Sequence, residues 1–222
     1  MSFDASLLIP ALRRSWELVV AAPVTMLVAW FGIAALALLA DVGSSLWSGY
    51  AGATWVAYAL AMAVIQIWIT GEALRGAGYR PILSMTGVLI LFVQGLLVGL
   101  AILLGLLLLI LPAFYVAARF YMSGAILVLH GGGAGAAMWR SWDLLAARWP
   151  AALVIGLMVS LLSAAPWIVA LVAPAVPVDY GFGWLVTANL ISAAGALGGF
   201  VTAVGLLLTI EPPASAYRQI FS

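Results

Sequence analysis

Apolar residues fill this chain in five long blocks, and polar positions are confined to the short gaps between them. A helix that crosses a bilayer needs about 20 apolar residues. Residues 18–40 supply a first, which Asp41-Val42-Gly43-Ser44-Ser45 is expected to end, and residues 51–71 supply a second, ending at Glu72. Residues 82–129 form one run interrupted by Arg119. As a single helix that run would be roughly 70 Å long, over twice the hydrocarbon thickness, so it must turn back. Pro112 is the expected turn, because the residue before proline avoids the α region and proline suits a first helical turn. Gly105 is the alternative. Residues 151–173, with Pro166 as the expected kink, and residues 184–210, closed by Glu211-Pro212-Pro213, complete the set. The pattern predicts an all-α integral membrane protein with six transmembrane helices.

Charge sets the orientation. If the first span starts on the cytoplasmic side, Arg13, Arg14, Arg75, Arg80, Arg140, Arg148 and Arg218 all fall there, and the other side receives Asp41 and Asp179. That is the positive-inside bias, and it predicts both termini inside. Arg13-Arg14 ahead of an apolar stretch faintly resembles a twin-arginine signal. The stretch is about 23 residues, longer than a 7–15-residue signal core, so an uncleaved span is expected.

Composition narrows the classes. Apolar residues make up 67% of the chain and charged residues 7%, against roughly 25% charged in a water-soluble domain. The net charge of +1, without a basic block to track phosphates, argues against a nucleic-acid partner. The absence of Cys removes disulfides, a thiol nucleophile and Cys-based metal sites. All 8 basic residues are Arg. With the abundant Ala and Gly, this suggests a GC-rich bacterial genome and hence the inner membrane.

A motif recurs. Arg14-Ser15-Trp16-Glu17-Leu18 returns as Arg140-Ser141-Trp142-Asp143-Leu144, each copy just ahead of an apolar span and followed by a proline, Pro23 or Pro150. Thr70-x-Glu72 with Tyr79-Arg80 is echoed by Thr209-x-Glu211 with Tyr217-Arg218. Order and sidedness agree, so a parallel duplication is expected within one membrane domain, 1–222. Residues 1–80 form repeat one, 81–130 a central helical hairpin and 131–222 repeat two. In each motif Arg and an acidic residue three apart share a helix face, and Trp suits headgroup depth. Residues 3–18 and 135–149 are therefore expected to be short helices in the cytoplasmic interface. Arg14, Trp16, Arg140 and Trp142 could hold a lipid headgroup or a partner, or simply anchor the next span.

Leu111-Pro112-Ala113-Phe114-Tyr115, then Ala118-Arg119, then Ala136-Ala137 ahead of Arg140-Ser141-Trp142-Asp143-Leu144 resembles bacterial multi-pass proteins of the YciC type. It is also similar to the membrane domain ahead of some glycerophosphodiester phosphodiesterases. Those families carry a Leu-Pro-Gly-Ile-Tyr-like turn, an Arg soon after, and an Ala-x-x-x-Ser-Trp-x-Leu segment before the next span. Here Ala113 stands at the Gly position, and Arg218 directly follows Tyr217 in the closing tail. No phosphodiesterase domain follows Ser222 in this sequence, so the resemblance implies a membrane domain without hydrolase activity. The YciC type brings no established activity to carry over.

Ionisable groups inside a span are the first functional suspects. Arg119 falls about 10 Å below the outer edge of its helix, and Asn189 about 8 Å into the sixth span from the same side, so depth permits contact. Arg119 could bind an anionic lipid or substrate, pair with polar neighbours, or stack on Tyr115 one turn earlier. His130, the one histidine, precedes Gly131-Gly132-Gly133 and reads as an interfacial residue beside a hinge. It lacks partners for zinc or a catalytic triad. Gln66 and Gln94 can bond between helices. Gly95-x-x-x-Gly99 and Gly195-x-x-x-Gly199 are small-residue contact faces, for the bundle or for a homodimer. The functional expectation is a non-catalytic lipid- or partner-binding scaffold module without cofactor or metal. Its partners would be membrane lipids, with a membrane protein or a second copy of the chain left open. A small transporter or lipid-handling permease is the alternative, motivated by the repeat, the proline-broken spans and Arg119.

Overall fold

The computed structural model describes residues 5–46, 48–82, 84–108, 110–172 and 181–212. Asp179, Pro213, Tyr217 and Arg218 lie outside them. Every regular element among the described residues is helical. Short 3-10 turns at Ala5–Leu7 and Ser48–Tyr50 accompany α1 (Leu8–Ala21), α2 (Pro23–Leu46), α3 (Ala51–Gly76), α4 (Met85–Leu108), α5 (Ile110–Arg119), α6 (Ser123–His130), α7 (Ala134–Leu144), α8 (Trp149–Val172) and α9 (Phe182–Ile210). Six segments are long and apolar enough to cross a membrane: α2, α3, α4, α5 with α6 together, α8 and α9. Large apolar side chains such as Val24, Leu39, Leu100, Leu107, Leu161 and Leu171 remain exposed. Water would not tolerate so extensive an apolar surface, whereas lipid covers it without penalty.

Several boundaries differ from the sequence expectation. The first span begins at Pro23, not residue 18, because Leu18 belongs to α1 and the chain breaks at Ala22. Proline is well placed there, since the first N–H of a helix has no intrahelical partner to lose. Asp41, Ser44 and Ser45 do not end α2. Ser44 and Ser45 donate to the carbonyls of Asp41 (2.9 Å) and Val42 (2.8 Å), which keeps the last turn satisfied. α3 likewise runs past Glu72, whose carboxylate takes an ion pair from Arg75 three residues on. Neither expected turn residue ends a helix: Gly105 lies within α4, which runs to Leu108, and Pro112 within α5, which starts at Ile110. Pro112 sits in the first turn of α5. Gly105 is where the two arms meet, and a Cβ there would lie 2.8 Å from Ala113 Cα. α8 continues through Pro166 to Val172.

The fourth span is two helices. α5 stops at Arg119, and α6 starts at Ser123 after a turn in which Phe120 O accepts from Ser123 N at 3.0 Å and from Ser123 Oγ at 2.6 Å. α6 is buried along Ser123–Leu129. α9 is the hub, packed by α1, α2, α3, α6 and α8 and buried continuously from Val201 to Leu208. The Gly195 half of its small-residue face works inside the bundle: a Cβ at Gly195 would sit 2.8 Å from Val159 O of α8. The Gly95 and Gly99 positions on α4 face open space.

Candidate functional site

The first Arg-Ser-Trp motif lies on α1, whose three faces have different fates. Ala11, Ser15 and Leu18 recur at i, i+4 and i+7 and are buried; Ala11 and Ser15 sit against α9, where a Cβ at Gly205 would lie 2.8 Å from Ala11 O. Arg13 and Arg14 reach Glu17 at 3.3 and 3.0 Å on a solvent-accessible face. The Arg14 hydrogen bond, with a smaller contribution from Arg13, holds the Glu17 carboxyl below its ordinary value of 4.5. Leu12, Trp16 and Val19 form the third face. With Met26, Trp30 and Leu197, among others, they line an apolar groove of about 640 Å³ between α1, α2 and α9. Trp30 Nε1 donates to Leu190 O at 2.8 Å near its far end. Trp16 stays 67% exposed at the groove wall.

The second motif sits on α7 in different surroundings. Ser141 is fully buried and donates to Arg119 O at 2.8 Å. Arg140 Nη2 holds both oxygens of Glu211 at 2.9 and 3.1 Å. His130 Nε2 lies 3.5 Å from the same carboxylate, and Tyr79 donates to Glu211 O at 2.7 Å. One residue past α9 therefore ties together the segment after α3, the end of α6 and the middle of α7. The sequence treats His130 as an isolated hinge residue, because its partner stands far along the chain and no local spacing signals the pairing.

Arg119 is 6% exposed. Its Nη1 donates to Tyr115 OH at 2.9 Å and to Ala146 O at 3.3 Å. The guanidinium lies 4.3 Å from the centroid of Trp142 and 5.4 Å from that of Tyr115. Tyr115 packs edge-on against Trp142 and Trp149, which completes an aromatic box. The stacking on Tyr115 expected from the i, i+4 spacing is present. Contact with Asn189 is not. Asn189 Nδ2 instead donates to Asp41 Oδ2 at 2.9 Å and to Leu185 O at 3.0 Å. A depth count along an unbroken fourth span puts Arg119 beside Asn189, but the break after residue 119 turns it toward α7 and the start of α8. Nε of Arg119 and Oε1 of Gln94 are buried without a hydrogen-bond partner.

Of the six candidate residues, Arg119 and Trp142 are brought together, while Arg14 and Trp16 on α1, Arg140 beside Glu211 and Asn189 beside Asp41 occupy separate places. Among the described residues no three of His, Cys, Asp or Glu converge on one point. Comparison of the chain with protein-family models, with curated proteins and with solved structures gives no match.

Proposed function

We propose that this protein is a non-catalytic, lipid-holding scaffold module of the bacterial inner membrane, of the YciC type. Both termini are cytoplasmic, and α1 and α7 lie along the cytoplasmic surface. The observation that carries the reading is the groove between α1, α2 and α9. Its α9 wall runs from Ala194 to Thr202, about 12 Å at ~1.5 Å per residue, close to one leaflet's half of a hydrocarbon core of about 30 Å. It is lined almost wholly by apolar side chains. Arg13 and Arg14 stand on another face of the same helix, at headgroup level when the groove faces the leaflet. An acyl chain of a cytoplasmic-leaflet lipid fits both facts.

The duplication belongs to the same proposal, with α1–α3 in repeat one and α7–α9 in repeat two. In its support, each short helix precedes two spans, each motif serine is buried, and α2 packs on α3 as α8 packs on α9. The environments have since diverged: α1 docks on α9, and α7 docks on α6 and α4.

The test is mass spectrometry of lipids retained after extraction with a native membrane patch. Ala194→Phe, which fills the groove, is expected to lower lipid retention at unchanged thermal stability. Identical retention by a folded variant removes the reading. A small permease is the second reading, favoured by the interrupted fourth span, since discontinuous helices frame transport sites.

A further inference from the structure

The break in the fourth span borders two recesses that the scaffold reading does not use. One, of about 420 Å³, lies among α3, α8 and α9 and is lined by Gln66, Ser160, Ser163, Gly195 and Gly199 together with Tyr121 of the break. The other, of about 430 Å³, lies among α4, α5 and α8 and is apolar, lined by Ile102, Leu106, Phe114, Ala117, Leu153 and Leu157 among others. Tyr121 and Ser160 line both. The Tyr121 ring passes 3.6 Å from the place of a Cβ on Gly156, and its hydroxyl meets Thr202 Oγ1 at 2.6 Å. Tyr121 and Ser160 therefore mark the shared border between a recess of mixed lining, here the chamber, and an apolar cleft.

Two polar groups of the chamber are unanswered. The half-buried Gln66 carboxamide, whose Nε2 packs against Gly124 of α6, and the exposed Ser160 hydroxyl make no hydrogen bond among the described residues. Both stand on helices long and apolar enough to span the membrane. An amide left bare toward lipid costs about 2 kcal/mol or more, so the recess favours an occupant with hydrogen-bonding groups. Among the described residues no Asp, Glu, Arg or His lines either recess, so a charged head would be stranded there without a counter-ion. The adjoining cleft offers mostly hydrocarbon contacts, with Tyr121 and Ser160 at its border.

The geometry points to a binding site for an uncharged amphiphile, one with hydroxyl or ester groups on its head, placed with the head in the Gln66–Ser160 chamber and its acyl chain in the α4–α5–α8 cleft. This site is separate from the α1–α2–α9 groove and does not depend on it.

The experiment uses the full chain in phosphatidylcholine nanodiscs and a monoacylglycerol carrying a diazirine in its acyl chain. After photolysis, labelled residues are mapped by mass spectrometry. Labelling of residues 113–118 and 152–160 is expected to saturate. Unlabelled monooleoylglycerol should compete about tenfold or more better than ionised oleate, a floor set by the cost of an unpaired carboxylate inside a span. Ala117→Phe should abolish labelling of these segments, and Gln66→Leu or, if that variant fails to fold, Ser160→Ala should reduce it. Ala194→Phe, in the separate groove, should leave it unchanged, so that this site and the groove fail independently. Non-saturable labelling, equal competition by oleate, or full labelling in folded Ala117→Phe and chamber variants overturns the assignment.

Discussion

Replacing Arg119 by Leu separates a structural guanidinium from one kept for a ligand. The native side chain is buried, and among the described residues no carboxylate reaches it. Its favourable contacts are a close stack on Trp142, a longer one on Tyr115, and hydrogen bonds of 2.9 and 3.3 Å. A desolvated cation–π contact contributes about 2 kcal/mol, and a hydrogen bond from a charged donor about 1.5–3 kcal/mol. Against these stand several kcal/mol for desolvating the ion and about 1–3 kcal/mol for the partnerless Nε. The two sides close to within a few kcal/mol of zero. Arg119→Leu keeps much of the volume, needs no partner, and leaves the exposed Ala146 carbonyl to water. We expect it to change unfolding free energy by no more than about 1 kcal/mol, or to stabilise. Arg119→Ala removes the same charge and adds a void beside Trp142, at a cost of about 2–4 kcal/mol. Reversible denaturation of the purified protein in mixed micelles reads both. If Leu costs as much as Ala, the balance above is wrong and the guanidinium itself holds the α5–α6 break together.

Other contacts give sharper single outcomes. With no native Cys, single Cys residues at Ser45 and Gly132 should label from opposite faces of sealed vesicles, Ser45 from outside; labelling of Ser45 from the cytoplasmic face alone ends the both-termini-inside topology. Gly205→Val should push α1 off α9 at a cost of about 1–3 kcal/mol by overpacking, read as a lowered unfolding midpoint, and an unchanged midpoint would show that α1 is not docked there. The Glu17 pairing, with a carboxyl pKa held low, contributes fully above the ordinary value of 4.5 and is lost as pH falls through the lowered one; the stability difference between the wild type and Glu17→Gln should therefore shrink only in that acid window, and a difference that is flat with pH refutes the pairing. Glu211→Gln should loosen α7, seen as faster modification of Arg140 by phenylglyoxal, whereas an unchanged rate would mean that the ion pair does not restrain the helix.

The six long apolar helices were legible because their signal is additive: some 20 apolar residues in a row leave few soluble alternatives. The amphipathic α1 was legible for a related reason, since Arg14 and Glu17 at i and i+3 declare a face. Pair partners were not legible. Nothing near Asn189 announces Asp41, and nothing near His130 or Arg140 announces Glu211, because those contacts depend on which helices become neighbours. Helix ends misled where a polar residue found a local acceptor. Ser44 and Ser45 read as terminators, yet each returns its hydroxyl to a carbonyl three residues back, so the helix continues at little cost.

The interruption of the fourth span is the instructive failure. Residues 119–122, Arg-Phe-Tyr-Met, contain neither Gly nor Pro, the usual marks of a broken helix. Three of the carbonyls at the break have another donor, which lowers its cost. Ala118 O takes Tyr121 N at 3.4 Å, Phe120 O takes Ser123 N and Oγ, and Arg119 O takes Ser141 Oγ from α7. That last donor belongs to the repeated Arg-Ser-Trp motif, and the neighbouring Trp142 stacks on the Arg119 guanidinium. One motif residue thus satisfies the backbone at the break while the next covers its charge. In apolar surroundings an unsatisfied carbonyl costs several kcal/mol, so the break and the docking of α7 stabilise each other. Ser141→Ala should therefore disturb the α5–α6 turn, and with it the position of Tyr121 between the two recesses, more than its loss of one oxygen atom suggests. Slowed amide exchange at residues 119–123 in the wild type, lost in Ser141→Ala, is the expected result; equal exchange in both would uncouple the motif from the break.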